Sequence, residues 1–138
     1  MWYARPADRL NAVSTVKEMA VNPTGSEIAQ FLANDSGAPV VMLNLLRFKP
    51  GGRQSYQQYS REFAARIGPR YGVKVLYAGE GSTALVADPG QAWDAVLLVQ
   101  YPSRAAFSAM IADPDYQHIT PLRTAALEEA VLQATSPW

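Results

Sequence analysis

Few side chains in this chain are equipped for chemistry. There is one histidine, His118, and no cysteine, so thiolate nucleophiles, thiolate metal ligands and disulfides are excluded together. A histidine can act as a general base or an axial haem ligand. His118, however, has no acidic partner in its motif to orient the ring, so a surface role is expected and haem is not. One histidine among scattered carboxylates also lacks the spacing of a metal site, and neither a metal nor another cofactor is expected. No Gly-rich phosphate loop, Ser-His-Asp order or paired-carboxylate spacing is present.

Asn44 and Arg123 are more informative. Asn44 interrupts an otherwise apolar run, Val40 to Leu46, and a buried amide left without partners costs about 1–3 kcal/mol. Its partner is either a ligand or neighbouring backbone. Arg123 lies in Leu122-Arg123-Thr124-Ala125, and a guanidinium suits bidentate grip on a carboxylate. The structural alternative is an ion pair with Asp94 or Glu80. Glu80 itself lies between Gly79 and Gly81, as a pocket acid or a turn residue. Tyr56, Tyr59 and Tyr116 read as core or pocket-wall aromatics. The expectation is a cleft between the sheet and its own helices, with Asn44 and Arg123 at the polar end and Tyr56 and Tyr116 in the walls. An amide beside a guanidinium suits a carboxylate or enolate oxygen. For an enzyme, Glu80 or His118 would be the base for proton transfer.

These residues need a scaffold. Pro39 to Phe48 is a run with eight apolar residues in ten, ending in Lys49-Pro50-Gly51-Gly52, the pattern of a central strand covered on both faces. Before it, Thr24 as N-cap and Glu27 three residues on form a capping box. They open a helix with Ile28, Phe31 and Leu32 on one face, ended by Asn34-Asp35-Ser36-Gly37. Ser55 and Gln58 suggest a second capping box, opening a helix whose stripe is Tyr56, Tyr59, Phe63 and Ile67 and which stops at Gly68-Pro69. Val73 to Tyr77 reads as a strand, with a bend or bulge near Glu80, resuming through Thr83–Ala87 and turning at Asp88-Pro89-Gly90. Trp93 to Tyr101 is another doubly covered strand. A helix from Pro102-Ser103 buries Phe107, Met110 and Ile111. Asp113-Pro114 and Thr120-Pro121 each read as an N-cap followed by Pro at N1, giving two further helical segments, and Val131-Leu132 supplies a short last strand. Residues 1–23 read as an N-terminal arm with some helical spacing, and 24–138 as one domain.

The order strand, helix, strand, strand, helix, strand is a ferredoxin-like βαββαβ unit, an α+β fold. The strand Pro39–Phe48, the pair Tyr56 and Tyr59, the Gly79-Glu80-Gly81 turn, Tyr101-Pro102-Ser103-Arg104, Asp113-Pro114-Asp115-Tyr116 and Leu122-Arg123 also carry a family likeness. Over roughly residues 24–132 the chain resembles the bacterial family known as domain of unknown function thirteen-thirty, within the dimeric α+β barrel superfamily. The resemblance implies that fold and a dimer, but no reaction.

Composition narrows the partners. Twelve basic residues balance twelve acidic ones, so nothing attracts nucleic acid or an anionic membrane. RNA reading by a βαββαβ sheet also needs exposed stacking aromatics that these strands lack. Apolar residues make up 49% and charged residues 17% of the 138, as in a globular chain. The sequence after Met1-Trp2-Tyr3-Ala4-Arg5-Pro6 lacks the apolar run of a signal peptide, so the cytoplasm is the expected location. Both helices of a βαββαβ unit cover one sheet face, yet the central strands are apolar on both. A homodimer joined through the open sheet face is therefore expected. Two functions fit: a small cofactor-free enzyme or ligand-handling protein acting on a small organic molecule, carboxylate-bearing or enolisable, and a non-catalytic dimeric binding or assembly module.

Overall fold

The computed structural model describes residues 21–138; the expected N-terminal arm lies mostly outside them. Its elements are α1 (Gly25–Ala33), β1 (Val40–Phe48), α2 (Gly52–Glu62), β2 (Lys74–Glu80), β3 (Ala95–Tyr101), α3 (Arg104–Ala112), α4 (Pro114–Ala126) and β4 (Leu127–Thr135). The four strands form one antiparallel sheet in the order β2-β3-β1-β4, the ferredoxin-like arrangement. The apolar run at 40–48 is central, as its composition requires.

Side chains alternate across a strand, and here the alternation divides the sheet into unlike faces. Val40, Met42 and Leu46 turn toward the helices and are buried, with Val99 and Tyr101 beside them. Val41, Leu43 and Leu45 point the other way. In the ladder Leu43 stands opposite Leu98 and Gln133, and Leu45 opposite Val96 and Val131. This second face is only partly buried within one protomer. The expectation of strands covered on both faces therefore holds for one face of the described chain.

Local signals set most element ends. Thr24 and Glu27 make the full capping box, each side chain bonding the other residue's backbone N–H. Ser103 Oγ accepts from Ala106 N–H, and Asp113 accepts from Asp115 N–H ahead of Pro114. The buried stripe Phe107, Met110 and Ile111 is as expected.

Several expectations are corrected. No capping box forms at Ser55: α2 starts earlier, at Gly52, after Gly51 turns the chain with φ +74, a conformation glycine adopts at little cost. Ser55 Oγ instead donates to the Leu122 carbonyl across the α2–α4 packing. No strand forms at Thr83–Ala87, because the chain there has no ladder partner and leaves Leu85 and Val86 in solvent. The bulge of β2 falls between Val75 and Tyr77 rather than at Glu80. Thr120-Pro121 does not start a new helix: α4 runs through Pro121 to Ala126. A mid-helix proline costs about 3 kcal/mol, but α4 buries Tyr116, Ile119, Arg123 and Ala126 along one face, and that packing holds it together. The last strand is also longer than Val131-Leu132, spanning nine residues.

Helix α2 does not simply stop at Gly68-Pro69. It loosens into a π-helical turn, Phe63–Ile67, then tightens into a 3-10 turn, Gly68–Tyr71. Single π turns recur at functional sites, and this one sets the wall described next.

Candidate functional site

A cleft of about 270 Å³ opens between the sheet and the α2–π segment. Its sheet wall is apolar: Val73 and Val75 at β2, and Leu97 and Val99 of β3. Its helical wall carries Tyr56, Tyr59, Phe63 and Ala64, and Asn44 and Arg123 supply the polar end. The helical wall is built from consecutive rings. Tyr56 and Tyr59 have centroids 5.4 Å apart, Tyr59 and Phe63 6.0 Å, and Tyr59 and Tyr116 6.3 Å. A 3.6-residue period puts positions 56, 59 and 63 on one stripe, and the π turn carries that stripe on to Phe63 at the rim.

Behind the cleft is a recess of about 30 Å³, lined by Asn44, Tyr59, Tyr101, Tyr116 and Arg123 among others. Tyr116 lines this recess rather than the outer cleft. Its hydroxyl lies 3.1 Å from that of Tyr59. Loss of water raises the pKa of Tyr59 well above the ordinary value of 10.0, and raises Tyr56 and Tyr101 for the same first reason; the Arg123 charge opposes the shift in all three. These phenols stay protonated near neutral pH and act as hydrogen-bond donors, not bases.

Arg123 is 5% exposed. Neither suggested ion pair forms. Its Nη1 donates to the Val21 carbonyl at 2.9 Å and to Asn22 Oδ1 at 2.8 Å, both neutral acceptors. Among the described residues no carboxylate lies within ion-pair distance of it. Asp94 instead accepts from Phe48 N–H at 2.8 Å, and Glu80 pairs with Arg53. Burying a cation without a counter-charge is costly, so this guanidinium is a standing attraction for an anion. Asn44 Nδ2 donates weakly to the Met42 carbonyl at 3.3 Å, while its Oδ1 has no partner among the described residues.

The structure thus brings together Asn44, Tyr56, Tyr116 and Arg123, and separates Glu80 and His118 from them. The Glu80 side chain is 73% exposed in its ion pair, and His118 is an exposed residue of α4; neither lines the cleft or the recess. No carboxylate or imidazole lines either space. Among the described residues no three His, Cys, Asp or Glu side chains gather as a metal site. Sequence reasoning passed over Tyr101 and Phe63. Tyr101 shares the strand parity of Leu97 and Val99, and Phe63 extends the Tyr56–Tyr59 stripe, so both signals were in the spacing. The contact of Arg123 with Val21 and Asn22, a hundred residues distant, had no local signal.

Several comparisons place this architecture. A protein of unknown function from Rhodopseudomonas palustris is 35% identical, with a TM-score of 0.79, over 87% of this chain and 98% of that one. Two more distant structures share the fold. One, from Jannaschia, is described as a dimeric ferredoxin-like protein of unknown function (11% identity, TM-score 0.56, 72% of this chain and 100% of that one). The other, from Bacteroides fragilis, is described as a dimeric protein of unknown function with a ferredoxin-like fold (13%, 0.51, 74% and 98%). No functionally curated protein matches the chain. The family model described as a domain of unknown function, DUF1330, matches residues 45–135. The chain belongs to that family.

Proposed function

We propose that this protein binds, as a homodimer, a small organic carboxylate in the cleft between β3 and the α2–π segment. The observation that carries the reading is the buried Arg123 guanidinium, which has no carboxylate partner among the described residues and lines an apolar-walled cleft. A bound carboxylate would supply the missing counter-charge through charge-assisted hydrogen bonds. The Val73, Val75, Leu97, Val99 and Phe63 walls suit a ring or branched apolar body. With protonated phenols, an amide and a guanidinium as its polar groups, the cleft favours holding or polarising an anionic oxygen. Proton abstraction by Glu80 or His118 has no geometric support, so ligand handling is favoured over proton-transfer catalysis. The reading keeps the protein in the cytoplasm and free of cofactor, the site's chemistry coming from its side chains alone.

The dimer in this reading joins the open sheet faces, bringing Val41, Leu43, Leu45, Val96, Leu98 and Val131 out of water. Each such side chain is partly buried already and gains from the dimer a share of the about 1.5–3 kcal/mol of full burial, and twofold symmetry is the commonest arrangement of such pairs. The dimeric character of the Jannaschia and Bacteroides fragilis proteins supports it.

The test of the ligand is a thermal-shift panel in which each small carboxylic acid is paired with its primary amide. Acids with an apolar body should raise the melting temperature and their amides should not. Equal shifts for acid and amide, or no shift from any acid, would contradict the anion reading.

A further inference from the structure

The recess behind the cleft is sized for a headgroup. At about 30 Å³ it has room for a small polar group on the scale of a water molecule. Asn44, Tyr59, Tyr101 and Arg123 line both recess and cleft, so a ligand with its body in the cleft presents its polar end to all four.

The hydrogen-bonding capacity left over at that end is lopsided. A guanidinium has five N–H donors; the two on Nη1 are taken by Val21 and Asn22. Those on Nε and Nη2 make no hydrogen bond among the described residues. The Tyr59–Tyr116 hydroxyl pair holds two protons but shares one hydrogen bond, so one O–H is left to donate. The Tyr101 hydroxyl likewise has no partner among the described residues, and burial keeps it protonated. Against these donors stands one strong unpaired acceptor, Asn44 Oδ1. Its orientation follows from its neighbour: the Met42 carbonyl can only accept, so it takes the Nδ2 end and turns Oδ1 away.

A bare carboxylate would satisfy the donors and leave Asn44 Oδ1 unpaired. A carboxylate with an O–H on the adjacent carbon satisfies both. We infer that the site selects 2-hydroxy carboxylates, with the carboxylate on Arg123 and the tyrosine hydroxyls and the 2-hydroxyl donating to Asn44 Oδ1. The inference rests on the anion reading above and narrows it to a substrate class. The same geometry would accept the enol form of a 2-oxo acid, whose O–H occupies the same place.

The experiment is a calorimetric titration of each mandelate enantiomer and of phenylacetate, which differ by that one hydroxyl. Wild-type protein should bind at least one mandelate enantiomer about tenfold more tightly than phenylacetate, the value of one added hydrogen bond. In Asn44→Leu the gap should close to about twofold or less. Equal wild-type affinities would overturn this inference and leave the anion reading standing. A gap that persists in Asn44→Leu would overturn the role given to Asn44. No binding of either acid at about ten times the millimolar range of weak ligands would overturn both readings. Should Asn44→Leu fail to fold, the matched pair of ligands on wild-type protein decides alone.

Discussion

Replacing Leu43 with Asp should separate the proposed dimer into folded monomers. Leu43 lies in the middle of β1 on the open face, flanked in the ladder by Leu98 and Gln133. In a face-to-face dimer each protomer loses the burial of the part of Leu43 that the protomer leaves exposed, at most about a third of the 1.5–3 kcal/mol of a whole leucine, and twofold symmetry doubles the loss. Two carboxylates are also brought into a dry interface, each costing several kcal/mol more in desolvation. A total of at least about 6 kcal/mol weakens association by a factor on the order of 10⁴, which takes a nanomolar dissociation constant to about 10 μM. Within the protomer the same side chain is partly buried and lies outside the helix-side core, so far-UV circular dichroism should remain native. Size-exclusion chromatography with light scattering at about 1 μM, well below that dissociation constant, should read dimer for wild type and monomer for the variant. A monomeric wild type, or a variant that stays dimeric, would refute the sheet-face argument.

Other outcomes follow from particular contacts. A Cβ at Gly52 would collide with the Ala126 carbonyl oxygen, so Gly52→Ala should lower stability in urea by about 1–3 kcal/mol, the usual range for overpacking. His118→Ala and Glu80→Gln alter exposed groups and should each leave stability within about ±0.5 kcal/mol, with acid binding unchanged by titration. Alkaline pH should unfold the protein. Tyr56, Tyr59 and Tyr101 have folded pKa values above the ordinary 10.0, so above that pH the unfolded chain has lost protons that the folded one retains. Their contribution is complete below pH 10.0 and is lost as the pH rises toward the folded values. Stability should fall there, with tyrosinate absorbance appearing together with unfolding; full ionisation of a native protein at that pH would contradict the burial.

Much of the scaffold was legible in local pattern. The largely apolar run at Val40–Phe48 announced a central strand, the Thr24–Glu27 box and Asp113-Pro114 announced helix starts, and Asn44 and Arg123 stood out as polar groups in apolar settings. Misreadings arose where a local signal lost to tertiary structure. Ser55 has the chemistry of an N-cap, but the Gly51 turn starts the helix sooner and the hydroxyl serves α4 instead. Thr120-Pro121 has the form of a helix start, but the buried face of α4 carries the chain through it. Leu85 and Val86 have the propensity of a strand without an edge to join. The environment of Arg123 depended on Val21 and Asn22 reaching it across the fold, a placement no spacing along the chain encodes.

The central claim is that Arg123 is a buried anion receptor, and titration of phenylacetate into wild type and Arg123→Met tests it most directly. A hydrogen bond to a charged group contributes about 1.5–3 kcal/mol, so the variant should bind the acid about 10- to 100-fold more weakly. Its stability should change little, because the lost bonds to Val21 and Asn22 are offset by no longer burying an uncompensated cation. Unchanged affinity in Arg123→Met, with the fold intact, would contradict the account.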